Sequence, residues 1–217
     1  MSQRDSGYER QERDLYETPA WVTEALLPHL RECRIIWEPA AGSGKMSRVP
    51  EGFAGTVISS DIAEGQDFLA ADGFDGDAII TNPPYGQSGK LAAEFIERAL
   101  SLTASDRLVA MLLRSDFDHA KSRQHLFQHP AFSKKLVLTK RVKWFEGPTI
   151  CKHCGGCGSI RGLKCKPCKG KGWKKQGPSE NHAWFLWDYR HGGPPTLAYG
   201  PYRILGSPPV RRGRGVP

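Results

Sequence analysis

The stretch RIIWEPAAGSG, residues 34–44, leads from a short apolar, β-rich run into a loop with two glycines. Two later apolar runs have the same form, because residues 56–60 end at Asp61 and residues 78–80 end at the loop TNPPYG. Strands that alternate with helices and lead into polar loops are typical of an open α/β sheet. Such a sheet binds its ligand beyond the carboxyl ends of its strands, so we expect the three loops to meet there.

The remaining chain supplies further elements of the same fold. A Thr-Pro pair at residues 18–19 has the form of an N-cap followed by proline at the first helical position, and it predicts a helix to about Leu27. A second helix is predicted around residues 120–128. Strands are predicted at residues 108–113, 136–142 and 183–187. A longer helix follows from apolar residues at helical spacing, which are Leu91, Phe95, Ile96, Ala99 and Leu100.

Length and composition limit the class of protein. The chain has 217 residues with 39% hydrophobic and 10% aromatic residues, which allows one full domain and a small appendage. No run of about 18 apolar residues predicts a membrane span, and the polar N-terminus does not resemble a secretory signal. We therefore expect a cytoplasmic protein without membrane partners.

The positive charge is concentrated in one region. The net charge is +8, and residues 134–175 contain thirteen Lys or Arg against one acid, Glu146. A local excess of this kind suits a surface that contacts phosphates, and it predicts a nucleic-acid partner. A solvated basic loop would have the same composition. The tail RRGR at residues 211–214 allows the same two interpretations.

The first two loops predict a nucleotide-like ligand. Gly42 and Gly44 allow a tight turn and a close approach of backbone to ligand, and Glu38 is expected to place a negative charge at the end of the preceding strand. Asp61 ends the next strand, where a carboxylate can accept hydrogen bonds from both hydroxyls of a ribose. Asp67 and Phe68 follow, and they offer a polar contact and an apolar wall for an adenine ring.

The third loop contains Asn82, Pro83, Pro84 and Tyr85 directly after a buried run. Two prolines fix the backbone and remove two donors, so the local carbonyls only accept hydrogen bonds. An amino group can then donate one proton to the Asn82 side-chain oxygen and one to the Pro83 carbonyl, which orients its lone pair towards a methyl sulfonium. Tyr85 offers a flat face for stacking a planar base or amide. The loop therefore predicts methyl transfer to an amino nitrogen.

Five of the six cysteines lie within residues 151–168, and Cys33 is expected to be a buried apolar residue. Residues 151–158 and 165–172 both fit the pattern C-x-x-C-x-G-x-G, similar to the zinc-binding repeats of DnaJ-type chaperones. Two such knuckles can present four thiolates to a tetrahedral zinc ion: Cys151, Cys154, Cys165 and Cys168. Cys157 and His153 allow another ligand set, and free or redox-active thiols are the alternative to zinc.

From Tyr16 to Asp188, apart from the cysteine segment, the chain resembles the class I S-adenosylmethionine-dependent methyltransferases that act on amino nitrogens, in particular the N6-adenine DNA methyltransferases. The resemblance implies a Rossmann-like α/β sheet with helices on both faces. It implies that the catalytic tetrapeptide is residues 82–85. The positions that match the family's S-adenosylmethionine-binding motifs are Tyr16, Thr18, Pro19, Glu38, Ala40, Gly42, Gly44, Asp61, Asp67 and Phe68.

The chain departs from this family in size, since we expect no separate large target-recognition domain within its 217 residues, and in this it looks like small enzymes of phages and mobile elements. Trp144 and Phe145 stand where related enzymes often place an aromatic residue that packs on an extruded base. We expect the zinc knuckle to be an insertion in a hairpin at the edge of the sheet. It either recognises the substrate or only closes a long loop.

The expected organisation has five parts: a flexible arm at 1–14, the methyltransferase core at 15–149, the zinc-knuckle insertion at 150–176, the last core strands at 177–205, and a basic tail at 206–217.

The leading function is methylation of adenine N6 in DNA. Adenine N6 in RNA, protein glutamine methylation and a non-catalytic zinc-dependent nucleic-acid-binding protein are the alternatives. The glutamine enzymes that act on release factors have a helical N-terminal domain, whereas about thirty residues precede the first strand here. The intact tetrapeptide at residues 82–85 argues against a non-catalytic protein.

Overall fold

The computed structural model describes residues 17–103, 106–144, 148–175 and 180–201. Three α-helices occur in these residues: α1 (Ala20–Glu24), α2 (Lys90–Leu102) and α3 (Gln124–Phe127). The strands are β1 (Ile35–Glu38), β2 (Thr56–Ser59), β3 (Ala78–Thr81), β4 (Leu108–Arg114), β5 (Phe132–Leu138), β6 (Pro148–Ile150), β7 (Ser159–Ile160), β8 (Leu163–Lys164), β9 (Trp173–Lys175), β10 (His182–Asp188) and β11 (Thr196–Gly200).

Seven of these strands form one sheet in the order β2-β1-β3-β4-β10-β5-β11. Neighbouring strands are parallel except at β10, which is antiparallel to both β4 and β5. Six strands therefore end at the same edge of the sheet, here called the carboxyl edge, and β10 begins there. The other four strands form two separate pairs, β6 with β9 and β7 with β8.

The sheet is covered on both faces. One face packs against Val22 of α1 and Leu26 just after it, which are fully buried with Ile36 and Leu112. The other face packs against the apolar side of α2 and against α3. The central strands β3 and β4 are buried on both faces, as their continuous apolar sequences require. The predicted α/β sheet with helices on both faces is confirmed.

Several element boundaries differ from the prediction. The first helix covers only Ala20–Glu24, and the expectation of an N-cap at Thr18 with Pro19 as the first helical residue is wrong. Pro19 has an extended backbone and is itself the N-cap, and no side chain caps the helix. A separate 3-10 turn, Leu27–His29, follows and contains Pro28. The helix predicted around 120–128 consists of a 3-10 turn and the single turn of α3. The strand predicted at 136–142 is β5, which ends at Leu138.

The segment with the cysteines joins β5 to β10, which are paired antiparallel, so the predicted insertion in a hairpin is confirmed. The expectation that this hairpin lies at the edge of the sheet is wrong. The strand β10 lies between β4 and β5, and β11, which the sequence analysis did not predict, pairs with the free side of β5. The insertion therefore connects two inner strands of the sheet, and it leaves and returns at the end of the sheet that is called the carboxyl edge above.

Among the described residues the longest helix, α2, has 13 residues, and no helix there is long and apolar enough to cross a membrane.

Candidate functional site

The loop after β1 is held against the end of β2. The amide of Ser60 donates to the carbonyl of Glu38 at 3.0 Å, and the amide of Ala41 donates to the carbonyl of Ser60 at 3.0 Å. Gly42 and Gly44 have φ angles of +54° and +71°, in the left-handed region that favours glycine. A Cβ built on Gly44 would meet no atom within 4 Å, so the loop borders open space.

Asp61 connects this loop to the turn after β2. Its Oδ2 accepts a hydrogen bond from the amide of Gly42 at 2.8 Å, and its Oδ1 accepts one from the amide of Ala63 at 2.8 Å. A carboxylate can accept about four hydrogen bonds, so two positions remain for the hydroxyls of a ligand. Asp61 therefore shapes the glycine loop in addition to any contact with a ribose.

A cleft of about 220 Å³ lies beside these loops, lined by Trp37, Ile58, Ser59, Ser60, Gln66, Asp67, Phe68 and Ala71. Phe68 is only 2% exposed and meets Trp37 edge-to-face at 5.1 Å between ring centroids, so it belongs to the core as well as to the cleft wall. Ile58 is 45% exposed and forms the outer wall. Asp67 accepts a hydrogen bond from the amide of Leu69 at 2.9 Å.

The residues before α1 lie beside the glycine loop. Glu17 Oε2 lies 3.5 Å from Lys45 Nζ. A hydrogen bond from Ser43 and the charge of Lys45 lower the pKa of Glu17. This contact places Thr18 and Pro19 next to the loop, whereas Tyr16 lies outside the described residues. The sequence analysis gave no role to Glu17, which stands between Tyr16 and Thr18.

Glu38, at the end of β1, is a buried carboxyl group. It accepts a hydrogen bond from the hydroxyl of Ser47, which in turn accepts one from the hydroxyl of Ser59 at 2.7 Å. Burial raises the pKa of Glu38 to about 8, and the charge of Asp61 adds to this, while the bond from Ser47 opposes it. At such a pKa the protonated form of Glu38 is favoured near neutral pH, so the expected negative charge at this position is wrong, because the fold buries the carboxyl group.

The loop after β3 places residues 82–85 at the carboxyl edge. Asn82 is half-buried and Pro83 is buried. The Tyr85 hydroxyl donates to the carbonyl of Leu112 on β4 at 3.3 Å, and the ring packs on the core. Burial raises the pKa of Tyr85 above its usual range, so the phenol stays neutral. The ring of Tyr85 is fixed by these contacts before any ligand binds.

A charged cluster that the sequence analysis missed lies next to Tyr85. Arg114 at the end of β4 lies 3.0 Å from Asp116 and 3.5 Å from Glu180. The negative charges of Glu180 and Asp116 raise the pKa of the Tyr85 hydroxyl, and the positive charge of Arg114 lowers it. Glu180 stands 66 residues after Arg114 in the chain, so no local pattern could connect them. The cluster joins the returning end of the cysteine insertion to the wall that holds Tyr85.

Trp144 stands at the outgoing end of the insertion. Its ring meets the buried imidazole of His182 edge-to-face, with 5.0 Å between centroids, and it packs against the core. The Arg141 guanidinium donates to the Asn181 side-chain oxygen at 3.0 Å, so the two ends of the insertion are bound together. Phe145, the other residue expected to contact a base, lies outside the described residues.

The structure brings together the four cysteines of the two C-x-x-C pairs. Their sulfur atoms all lie within 4.8 Å of one another, with 3.9 Å between Cys151 and Cys165 and 3.8 Å between Cys154 and Cys168. Tetrahedral zinc with Zn–S bonds of about 2.3 Å places its sulfur ligands about 3.8 Å apart. The cluster therefore has the spacing that a zinc ion requires.

The two knuckles are related by an approximate twofold repeat. The amide of the first cysteine of each knuckle donates to the carbonyl of the last glycine of the other. These bonds join Cys151 to Gly172 and Cys165 to Gly158, each at 2.8 Å. The amides of Gly158 and Gly172 also point at Cys154 Sγ and Cys168 Sγ, each at 3.3 Å. A Cβ on Gly172 would lie 2.0 Å from the Gly156 carbonyl oxygen, so only glycine fits.

The remaining candidates for metal ligands are not part of this cluster. Cys157 and His153 are exposed, and the Cys157 sulfur lies 2.9 Å from the Cys154 carbonyl. Cys33 is buried in the main core, as expected, and burial raises the pKa of its thiol to about 11.

No family model and no curated protein matches this chain. Solved structures do match its fold. One, from Listeria monocytogenes, is proposed to be a class I S-adenosylmethionine-dependent methyltransferase; the TM-score is 0.50 at 12% identity, over 84% of this chain. Another, from Pyrococcus horikoshii, is proposed to be an RNA methyltransferase; the TM-score is 0.50 at 14% identity, over 80% of this chain. The match spans 65% of the Listeria chain and 86% of the Pyrococcus chain. The protein has the fold of the class I methyltransferases.

The buried Glu38 predicts a pH-dependent stability. A pKa raised from 4.5 to about 8 means that the folded state binds a proton more tightly than the unfolded state. The stabilisation is complete below pH 4.5 and is lost as the pH rises towards 8, at about 1.4 kcal/mol per pH unit. Glu38→Gln keeps an acceptor for Ser47 but cannot ionise. Its free energy of unfolding in urea, relative to the wild type, should therefore rise between pH 5.5 and 7.5.

The exposed Glu51→Gln variant is the matched control, and its difference from the wild type should not change over this range. A Glu38→Gln difference that is equally independent of pH would show that Glu38 is ionised in the folded protein.

Proposed function

We propose that this protein is an S-adenosylmethionine-dependent methyltransferase that methylates N6 of adenine in a nucleic acid, with DNA as the leading substrate. The observation that carries the proposal is the position of Asn82–Tyr85. This loop follows the buried strand β3 at the carboxyl edge, where the glycine loop, Asp61 and the cleft also lie. In an open α/β sheet this is the place where ligands bind.

The residues at this edge fit S-adenosylmethionine. The cleft of about 220 Å³ is smaller than the roughly 300 Å³ of a typical small-molecule pocket, so it suits one part of the cofactor, its adenosine. We assign Ile58, Asp67 and Phe68 to the adenine and Asp61 to the ribose. We assign the rest of the cofactor to the loop after β1 and to the segment before α1. The residues are Glu38, Ala40, Gly42 and Gly44 in the loop, Thr18 and Pro19 in the segment and, by resemblance alone, Tyr16.

When bound, the cofactor supplies a methyl group activated by a positively charged sulfur. The protein's part is to hold the accepting amine in line with it, because positioning provides most of the rate of such a transfer. The Asn82 side-chain oxygen and the Pro83 carbonyl accept the two amino protons, and both prolines lack an N–H that could compete. The nitrogen lone pair would thereby be directed away from the loop. When the nitrogen gains the methyl group and the sulfur keeps the electron pair of the broken C–S bond, one of the two amino protons would leave to solvent.

Tyr85 supplies a flat wall for the target base. Its ring is held by the bond to the Leu112 carbonyl and by packing on the core, so little conformational entropy is lost when a base stacks on it. Trp144 and Phe145 are assigned to the other side of the base. The contact of Trp144 with His182 fixes that side chain at the same edge of the sheet.

The charge distribution favours a nucleic acid over a protein substrate. Residues 148–175 contain eight Lys or Arg and no acid, which suits phosphates and not a neutral glutamine side chain. The resemblance of residues 16–188 to the N6-adenine DNA methyltransferases favours DNA. RNA is the second candidate, because the similar Pyrococcus structure is proposed to be an RNA methyltransferase.

We further propose that Cys151, Cys154, Cys165 and Cys168 bind one structural zinc ion. Four thiolates at these distances form a closed tetrahedral site without an open position for catalysis. The backbone amides that point at Cys154 and Cys168 would partly neutralise the thiolate charge.

The role of Asn82 is tested by Asn82→Ala in the full-length protein. The variant should bind S-adenosylmethionine as the wild type does, because the cleft and the glycine loop are separate from Asn82, while methyl transfer falls by about a hundredfold. Calorimetry gives the first quantity, and transfer of a labelled methyl group to adenine-containing oligonucleotides gives the second.

Gln128→Ala is the matched control, because it removes an exposed carboxamide just before β5, at the opposite edge of the sheet, and it should leave both quantities unchanged. Near-wild-type transfer by Asn82→Ala would refute the mechanism.

The metal assignment predicts one zinc ion per chain. Cys165→Ser should remove it and lower the thermal stability of the insertion, since a closed site that loses one thiolate loses most of its affinity. Cys157→Ser should retain the metal, because Cys157 lies outside the cluster. Elemental analysis of the purified variants measures both results. A wild type without zinc, or a Cys165→Ser protein that keeps one ion per chain, would exclude this assignment.

A further inference from the structure

The second knuckle presents a basic surface with one aromatic ring. The lysine surface, as we call it, consists of Lys164, Lys166, Lys169, Lys171 and Trp173, all of which are exposed. The chain has no acidic residue between Glu146 and Glu180 that could neutralise it locally. Such a surface attracts a polyanion.

The lysines are not explained by the metal cluster. The two knuckles share cysteines and glycines at equivalent positions, and these residues make the bonds that hold the sulfur atoms. Lys169 and Lys171 of the second knuckle replace Gly155 and Cys157 of the first. Since the first knuckle forms the same framework without them, these lysines serve something other than metal binding.

Trp173 gives the lysine surface a second kind of contact. Its side chain is 42% exposed, and Lys171 Nζ lies 5.2 Å from its ring centroid. The exposed part of the ring offers a flat apolar face beside a cation, on which a planar group can stack. A flat ring among phosphate-binding cations is the combination with which proteins bind single-stranded nucleic acids, because unpaired bases stack on the ring.

The lysine surface is tethered to the candidate active site. The insertion leaves the sheet after Leu138 and returns at His182, both at the carboxyl edge. Four Cα–Cα steps of about 3.8 Å separate Trp144 from Pro148, so the insertion begins within about 15 Å of Trp144. The chain therefore connects the lysine surface to the edge of the sheet at which the loop of residues 82–85 lies.

We propose that the lysine surface binds a single-stranded stretch of the substrate, with its lysines on the phosphates and Trp173 stacked on an unpaired base. The inference rests on the proposed function, because it names the form of nucleic acid that the same site receives. It also agrees with the chemistry, since an adenine must leave a base stack before its amino group can enter a pocket.

The test uses full-length, zinc-loaded protein without cofactor and fluorescent oligonucleotides of one sequence, single-stranded or duplex. Trp173→Ala should weaken binding of the single strand about tenfold and of the duplex much less. Trp173→Phe, which keeps a ring, should recover most of the loss. Leu163→Ala is the matched control, because it removes an apolar side chain that is 74% exposed, and it should change binding less than twofold. A triple variant is the second test: it should lower by about 2 the slope of the logarithm of the binding constant against the logarithm of the salt concentration. Its substitutions are Lys166→Gln, Lys169→Gln and Lys171→Gln.

Zinc content is measured for every variant, so that loss of the knuckle is distinguished from loss of the contact. A Trp173→Ala protein with one zinc ion that binds the single strand like the wild type would overturn the inference, as would an equal loss for Leu163→Ala. Methyl transfer by the wild type is measured separately. The proposed function fails if no methyl group is transferred, while the binding data decide the lysine surface independently.

Discussion

The antiparallel pairing of β10 with both β4 and β5 is the constraint on which the functional arrangement depends. The register places His182 opposite Arg114 and Ala183 opposite Leu113, so β10 starts at the carboxyl edge. Because β5 ends at the same edge, the chain between the two strands must leave and return beside the loop at residues 82–85. The two strand ends from which the cysteine insertion leaves and to which it returns are thereby held at the carboxyl edge by hydrogen bonds of the central sheet.

Two buried or half-buried carboxyl groups organise the other half of the site. Asp61 accepts the amide of Gly42 from one loop and of Ala63 from the next, so it sets the distance between them. Glu38 is linked to β2 through Ser47 and Ser59, and its protonation relieves the cost of burying a second charge near Asp61. A cofactor that carries positive charge would favour the ionised form of Glu38, which couples binding to proton release.

The sequence predicted those parts of the fold that local patterns encode. Buried runs such as residues 78–80 and 108–113 identify central strands, and the repeated C-x-x-C-x-G-x-G pattern identifies the cluster of four sulfur atoms. It did not predict the contact between Arg114 and Glu180 or the pairing of β11, because both join distant segments. The raised pKa of Glu38 was missed for the same reason, since burial by the whole fold causes it.

The central claim is that the protein transfers a methyl group to N6 of adenine. The most direct test incubates the full-length, zinc-loaded protein with S-adenosylmethionine carrying an isotopically labelled methyl group. Single-stranded and duplex DNA, RNA and a glutamine peptide of matched concentration are offered as substrates, and the products are digested and identified by mass spectrometry. The account predicts labelled N6-methyladenine in a nucleic acid, with DNA the better substrate. Label on cytosine N4 or on glutamine, or no label in any substrate, would contradict it.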